Sequence, residues 1–538
     1  MSILSWRVVP AAIVIAVFIA VGIASLGALF LVQTDEGSWL TVLSAPYIWR
    51  LLSFSLWQAF LSTVISIGFA IPLTSVLLHR QFIGRDLLLQ LFSLSLVVPT
   101  LVAILGIVVI YGRYGLLSTF LQGIGVEVDI PLYGLFGILL AHVFFNMPLA
   151  VRILMQSCTL IPASQLRLSY QLGFSRWHVF RWIEWPYMKK SLPSIFMLIF
   201  MLCFSSFAVV LSLGGGPKSS TLEVAIYQAL RYEFDIPKAS LLSILQVAVC
   251  SLVAFFVYRF TPMVWQDLSL TTNQIDHTKD SSVSKIIDMS ILTLALLFLL
   301  PPFVAIFTPA FSMLFIETLL AKPTWLAVWI SIKIALPSML LCLIIAFSFA
   351  TVARFFIGKS IVSQRSWYWL ANTLEHSGNI ILMIPSLVMA TGLFLLLYPL
   401  GLSFEFGYYV IVWVNAVMTL PFVLRVLLPT LYQQERRYHF LYTALKIRGW
   451  KKFKLEWPLI RASVGQASAY AVILSLGDMG VIALFGSQEL LSLPLYLFQL
   501  IGSYRLEQGA CIAVLLIGIC LILFYFCTHF IGGKNARY

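Results

Sequence analysis

Long apolar runs, separated by short polar stretches, occupy most of the chain. A run of about 20 apolar residues is long enough to cross the hydrocarbon core of a membrane as a helix. Helices suit this setting because each backbone polar group pairs within its own segment. We therefore predict an all-α integral membrane protein with about twelve transmembrane helices. The predicted spans lie near 8–32, 54–79, 90–111, 131–151, 193–213, 240–258, 286–308, 326–351, 376–399, 406–424, 463–485 and 508–531.

The composition and charge pattern agree with many membrane spans. Of 538 residues, 61% are hydrophobic and 10% are charged, whereas a soluble protein carries about a quarter charged residues. With the N-terminus in the cytoplasm, 26 of the 34 Lys and Arg residues fall in inner segments and 7 in outer loops. This bias follows the positive-inside rule, so we expect both termini in the cytoplasm. It also explains the net charge of +13, and we expect no nucleic-acid partner.

Matched spacings reveal a tandem repeat. Pro99 precedes Gly106 by seven residues, and Pro385 precedes Gly392 by seven. Three further spacings between proline, arginine and glycine recur in the same order, to within one residue. The two parts of the chain are therefore predicted to share one design.

A polar stretch at 261–285 is the predicted cytoplasmic linker between the repeats. It divides the chain into a first half, 1–260, and a second half, 286–538, each with six predicted spans. An even number of spans gives both halves the same orientation, so we expect parallel repeats related by an axis along the membrane normal.

Two polar, basic loops interrupt the apolar pattern, at 167–186 and 440–458, and both end in Glu-Trp-Pro. Apolar residues at helix-like intervals in the first loop predict a short amphipathic helix-turn-helix along the inner membrane face. Gly173 would permit its turn, and Pro186 would begin the next span. The alternative is a surface loop without a partner, but repetition at equivalent places favours two docking surfaces. The predicted docking residues are Arg167, Gly173, Trp177, Phe180, Ile183, Glu184 and Pro186 in the first loop, and Lys446, Trp450, Glu456 and Pro458 in the second.

The first loop resembles the cytoplasmic loop of the membrane subunits of type I ABC importers. Their consensus is Glu-Ala-Ala, three residues, Gly, then a run ending in an apolar residue and Leu-Pro. Gly173, Phe180, Ile183 and Pro186 fit this consensus, while Arg-Leu-Ser at 167–169 replaces the triplet. In the second loop a lysine replaces the glycine, and the run to the proline is one residue shorter.

Segments at 133–154, around 200–230 and at 496–505 are similar to the fused, two-half permeases of bacterial thiamine importers. Iron(III) importers have a similarly fused permease, so that substrate is the alternative. The resemblance implies a multi-pass protein of the bacterial inner membrane in contact with lipid. It also implies two copies of an ATPase subunit, each receiving one coupling helix, and a periplasmic thiamine-binding protein. The expected cargo is thiamine and its phosphates.

Charges within predicted spans are rare and usually face a cavity or a partner. Asp478 is the one carboxylate deep in a predicted span, and Lys333 is the one cation. Because thiamine is positively charged, Asp478 would favour it along the translocation path; the alternative is a helix-end or interhelical hydrogen bond. The weaker path candidates, for which helix–helix contacts are the alternative, are Ser475, Ser205, Ser206 and Asn146.

No enzyme chemistry is expected of this chain. The stretch 353–360 fits a relaxed phosphate-loop pattern, but it follows a predicted membrane helix and contains an arginine and two phenylalanines instead of a glycine-rich turn. We expect ATP hydrolysis on a separate subunit, and no cofactor or metal ion. A secondary transporter and a membrane enzyme are the rival classes; the first would need ion-coupling charges in its spans, and the second a cluster of His, Asp or Glu.

Overall fold

A computed structural model describes most of the chain. The described residues are 8–32, 44–94, 98–113, 115–126, 130–260, 282–308, 312–363, 384–447, 449–486 and 490–533. They form helices and turns, with no strand among them, which confirms the predicted all-α class.

The described residues of the first half form twelve α-helices. They are α1 (Val9–Phe30), α2 (Pro46–His79), α3 (Arg85–Leu94), α4 (Thr100–Tyr111), α5 (Leu116–Gly123), α6 (Leu135–Thr159), α7 (Ala163–Gln171), α8 (Arg176–Val179), α9 (Trp185–Phe204), α10 (Phe207–Leu213), α11 (Leu222–Gln228) and α12 (Ile236–Phe260). Two π-helical turns, Phe180–Glu184 and Ala229–Glu233, and one 3-10 turn, Pro217–Ser219, join some of them.

The described residues of the second half form nine α-helices, of which α15 and α17 are longer than any in the first half. They are α13 (Ser282–Phe307), α14 (Met313–Leu320), α15 (Lys322–Ser363), α16 (Ser386–Leu397), α17 (Gly407–Ala444), α18 (Trp450–Leu476), α19 (Gly480–Phe485), α20 (Leu493–Gly502) and α21 (Leu506–Phe526), which ends in a π-turn, Cys527–Ile531; a 3-10 turn, Tyr398–Leu400, follows α16. Residues 261–281 of the predicted linker lie outside the described residues, and α13 begins within its last part.

Eleven helices among the described residues are long and apolar enough to cross a membrane. The shorter apolar helix α16 occupies the ninth predicted span, whose part at 376–383 lies outside the described residues. Together they match the twelve predicted spans. The fourth and tenth spans continue past their predicted ends to Thr159 and Ala444, because the polar residues that follow extend the helix beyond its apolar part.

The third, fifth and eleventh predicted spans are not continuous helices, so that part of the prediction is wrong. The third is interrupted between the end of α3 at Leu94 and the start of α4 at Thr100. The fifth breaks at 205–206, between α9 and α10, and the eleventh at 477–479, between α18 and α19. The breaks in the fifth and eleventh spans are equivalent in the repeat. Serine, glycine and aspartate favour helix ends over helix interiors, and here they end helices within apolar runs.

The first span of each half packs against the opposite half. Helix α1 lies against α15 and α16, and α13 lies against α4. The repeat glycines allow these crossings: a β-carbon on Gly106 would collide with the Pro302 carbonyl, and one on Gly392 with the Ser25 carbonyl. The matched proline–glycine spacings that begin at Pro99 and Pro385 therefore mark two equivalent close contacts between the halves.

Candidate coupling loops and translocation path

The first loop is the predicted helix-turn-helix. Helix α7 ends at Gln171, and Gly173 takes the left-handed conformation with φ +67°. The Phe174 N–H donates to the Ser169 carbonyl at 3.0 Å, which is the Schellman pattern of a helix C-terminus. The chain then turns into α8, so Gly173 permits the turn as predicted.

The second loop makes the same turn without a glycine. Lys446 takes φ +53°, and the Ile447 N–H donates to the Tyr442 carbonyl at 2.9 Å. A side chain makes this left-handed conformation less favourable than it is for glycine. The two turns therefore share one geometry, but the second holds it at a conformational cost.

The one-residue difference between the loops has a structural cause. Between Trp177 and Pro186 the first loop contains the π-turn Phe180–Glu184, whereas helix α18 runs through Trp450 and Pro458 as a continuous α-helix. A π-turn accommodates one extra residue in an otherwise α-helical segment. It therefore keeps both ends of the first loop in register with the second.

Each loop presents a pair of stacked aromatic rings. Trp177 stacks on Phe180 with ring centroids 5.6 Å apart and planes at 28°. Trp450 stacks on Phe453 at 5.2 Å and 24°. The tryptophans are 61% and 75% exposed. Large exposed aromatic side chains on a rigid helix are typical of a protein interface.

Buried polar contacts anchor the first loop to the membrane helices. Glu184 is fully buried; its Oε1 is in hydrogen-bond contact with His79 Nε2, and its Oε2 accepts from the Ser75 hydroxyl at 3.0 Å. Arg176 forms an ion pair with Asp288 of α13 at 3.3 Å. Because α13 belongs to the second half, the first loop is tied to both halves.

A denser ion-pair network anchors the second loop. Arg354 Nη1 donates to Glu456 at 3.0 Å, and its Nε donates to Glu435 at 2.9 Å. Lys452 Nζ and His439 Nδ1 contact the same Glu435 carboxylate at 2.7 and 3.0 Å. All five side chains belong to the second half, so this loop is anchored within its own repeat.

The remaining predicted docking residues divide between surface and core. Arg167 is exposed and Ile183 is buried. Pro186 lies in the first turn of α9, as predicted, while Pro458 lies inside α18. Leu168 and Leu172, two of the apolar residues that recur at helix-like intervals in this loop, are 55% and 61% exposed, so the loop leaves apolar surface uncovered.

Three predicted path residues form hydrogen bonds within the helix bundle. Asn146 Nδ2 donates to Cys203 Sγ at 3.2 Å, and Asn415 Nδ2 donates to Ser475 Oγ at 3.0 Å. Ser205 Oγ donates to the Met201 carbonyl at 2.7 Å. The bonds of Asn146 and Ser475 are the helix–helix contacts that the alternative interpretation expected, whereas the Ser205 bond lies within one helical segment. Ser206, half-buried, precedes α10 at the helix break.

Asp478 lies at the equivalent helix break in the second half. This break faces residues of the first half, and we call this region of contact the seam between the halves. A β-carbon on neighbouring Gly477 would lie 3.5 Å from Pro99 Cα of the first half. One on Gly480 would lie 3.8 Å from Phe207 Cδ1, also of the first half, and 3.9 Å from Asp478 Oδ1. Asp478 is half-buried, and its Oδ2 has no hydrogen-bond partner among the described residues.

Comparison with known proteins agrees with this architecture. Residues 37–265 match the family of binding-protein-dependent transport system inner membrane components. The chain is 40% identical over 98% of its length to the thiamine transport system permease protein of Salmonella typhimurium, covering 97% of that protein. The Escherichia coli thiamine transport system permease protein is 40% identical over 96% of the chain, with 95% of its own length covered. The chain belongs to this permease family.

A second kind of relative matches a smaller part of the permease. A putative ferric transport system permease protein of Haemophilus influenzae is 29% identical over 39% of the chain and 34% of its own length. The resemblance to fused permeases of thiamine importers is therefore confirmed over nearly the whole chain, and the resemblance to ferric permeases covers a part.

Sequence reasoning did not single out several anchoring or buried polar side chains of this permease. Arg354 was considered only within a chance phosphate-loop pattern, yet it anchors the second loop. His79 received no role, and its partner Glu184 lies 105 residues away. Glu223 lies outside the predicted spans and is only 1% exposed. Its isolation among apolar residues in LEVAIY was the available signal.

Proposed function

We propose that this permease carries thiamine and its phosphates across the bacterial inner membrane, driven by ATP hydrolysis on a separate subunit. The observation that carries the proposal is the pair of equivalent loops, each with a Schellman turn, a stacked Trp-Phe pair and a buried glutamate anchor. The near full-length similarity to thiamine permeases supports the cargo.

Each loop would be a coupling helix that docks on one copy of the ATPase subunit. The exposed tryptophans Trp177 and Trp450 supply apolar contact area, and Arg167 and Lys446 add exposed positive charge beside them. Glu184 and Glu456 are buried, so they act by holding the loops on the helix bundle. Closure of two ATPase copies would then move both halves of the permease.

The same proposal places both termini and both loops in the cytoplasm, and a periplasmic thiamine-binding protein on the other face. The positive-inside bias supports this orientation. Exposed apolar side chains on the outer helices, such as Ile23, Leu294 and Ile522, would contact lipid.

The translocation path would follow the seam between the halves. Asp478 lies there with one carboxylate oxygen lacking a hydrogen-bond partner among the described residues, and Ser206 occupies the equivalent break. A carboxylate at this depth favours a cation, which suits the positively charged thiamine.

The direct test is uptake of radiolabelled thiamine into proteoliposomes that contain the permease, with its ATPase subunit and binding protein. We expect uptake that requires ATP and both partners. Uptake driven by an ion gradient without the ATPase would instead identify a secondary transporter. ATP-dependent uptake of iron(III) with no thiamine uptake would favour the ferric alternative.

A further inference from the structure

Glu223 is a buried carboxylate that lies outside the two loops and their anchors. It lies on α11 with 1% exposure. Its Oε1 accepts from Gln246 Nε2 at 3.0 Å, but its Oε2 is buried without a hydrogen-bond partner among the described residues. Leaving a buried carboxylate oxygen unpaired costs free energy, and such groups in membrane proteins are usually functional.

Two aromatic side chains, Tyr227 and Phe207, form an aromatic wall that connects Glu223 to the seam between the halves. Tyr227 follows Glu223 by four residues and therefore shares its face of α11. The Tyr227 ring meets Phe207 edge to face with centroids 5.2 Å apart. Phe207 in turn lies beside Gly480, next to Asp478. Glu223, Tyr227, Phe207 and Asp478 thus form a continuous cluster from the first half to the second. Both aromatic residues are buried.

The cluster contains two carboxyl groups close enough to interact, Glu223 and Asp478. Neither forms an ion pair within the part of the chain that the structure describes. The helices that hold Glu223 and its counterpart begin alike, because the Leu222 N–H donates to Ser55 and the Leu493 N–H donates to Ser331. A proline, Pro494, therefore stands at the position equivalent to Glu223, and Ser206 at the position equivalent to Asp478. Each half therefore contributes one carboxylate at a different place, which makes the cluster asymmetric.

We propose that Glu223 is the counter-charge of a binding site for an aromatic organic monocation, formed with Asp478, Tyr227 and Phe207 between the halves. A carboxylate pair neutralises the cation, and aromatic faces add cation–π attraction in a site shielded from water. The proposal rests on the proposed function, because thiamine combines a positive ring with an aromatic one. It goes further by giving the permease a cargo site of its own.

The experiment uses the full transport complex in proteoliposomes and measures thiamine delivered per ATP hydrolysed. We expect Glu223→Gln to lower this ratio about tenfold or more, because a charge-assisted contact with the cargo is lost. Glu233→Gln is the matched control: Glu233 follows in the same segment, is exposed and pairs with Lys238 at 2.7 Å. It should transport within about twofold of the wild type.

A wild-type ratio in Glu223→Gln would overturn the cargo site. Absence of thiamine uptake in the wild-type complex would instead contradict the proposed function, so the two failures are distinguishable. If Glu223→Gln does not assemble with the ATPase subunit, Tyr227→Leu tests the same site through its aromatic wall. The expected loss is then about threefold or more, and full transport by that variant would also overturn the proposal.

Discussion

The two proposed coupling loops have nearly the same surface but different anchors. Both present a stacked Trp-Phe pair after a left-handed turn. The first is held by the Glu184 contacts with His79 and Ser75 and by an ion pair to the opposite half, and the second by four charged groups and a histidine of its own half. Surface geometry is therefore the shared requirement, and each repeat meets it with its own interior chemistry.

Removing the anchor of the second loop is expected to destabilise the protein more than removing the anchor of the first, and this is the largest expected effect. Replacing Arg354 with Met leaves Glu435 and Glu456 buried with less compensation, which should destabilise the protein by about 3–5 kcal/mol. His79→Gln in the first loop keeps a hydrogen-bonding side chain and should cost about 1–3 kcal/mol. Thermal unfolding of the purified permease measures both. Arg354→Lys retains the charge and serves as the control; equal losses for Arg354→Met and His79→Gln would contradict the difference in anchors.

The aromatic surfaces should behave alike. Trp177→Ala and Trp450→Ala each remove an exposed aromatic side chain of the proposed interface, and we expect at least about a tenfold loss of affinity for the ATPase subunit, as for an interface hot spot. Titration of the ATPase subunit against permease in nanodiscs measures it. Tyr504→Ala is the control, since this side chain is 83% exposed in a predicted outer loop. A loss for one tryptophan only would show that the loops dock unequally.

Substitutions in the two turns are expected to change the stability of the protein by smaller amounts and in opposite directions. Lys446→Gly relieves the left-handed conformation and should stabilise the protein by about 1 kcal/mol, while Gly173→Ala should cost about 1 kcal/mol. Space does not limit Gly173, because no atom lies within 4 Å of an added β-carbon. The melting temperature of each variant measures the effect. A shift of the same sign in both would contradict the shared turn geometry.

The smallest effect is expected from shortening the first loop. Deleting Arg181 turns WHVFRWIEWP into WHVFWIEWP, which matches the length of WKKFKLEWP in the second loop. The π-turn should become an α-helix, with thiamine uptake within about threefold of the wild type. Deleting the exposed Lys451 is the control, because α18 has no π-turn to absorb the change of register. Loss of transport in the Arg181 deletion alone would contradict this explanation of the extra residue.

Features encoded by local pattern were predictable from the sequence. The apolar runs predicted the spans, the Pro-Gly spacing marked the crossing points, and Gly173 marked the turn. The one-residue difference between the loops was visible as well, although its form as a π-turn was not. Local patterns of this kind depend on residues that are neighbours in the chain.

The anchors and the candidate cargo site were not predictable in the same way. Arg354 and Glu456 are 102 residues apart, and Ser75 and Glu184 are 109 apart, so only the packing of helices brings them together. Asp478 was found because it interrupts a predicted span. Glu223 was missed because α11 is a short helix after a glycine-rich turn, outside any run long enough to predict a span.

Docking of both loops on the ATPase subunit is the central proposal for this permease, and cysteine cross-linking tests it directly. All seven native cysteines are buried, so Trp177→Cys and Trp450→Cys can be labelled with a photo-activated cross-linker in the otherwise native chain. We predict that each variant cross-links to the ATPase subunit, that the double variant captures two copies, and that Tyr504→Cys captures none. Capture of no ATPase subunit at either tryptophan position would contradict the account.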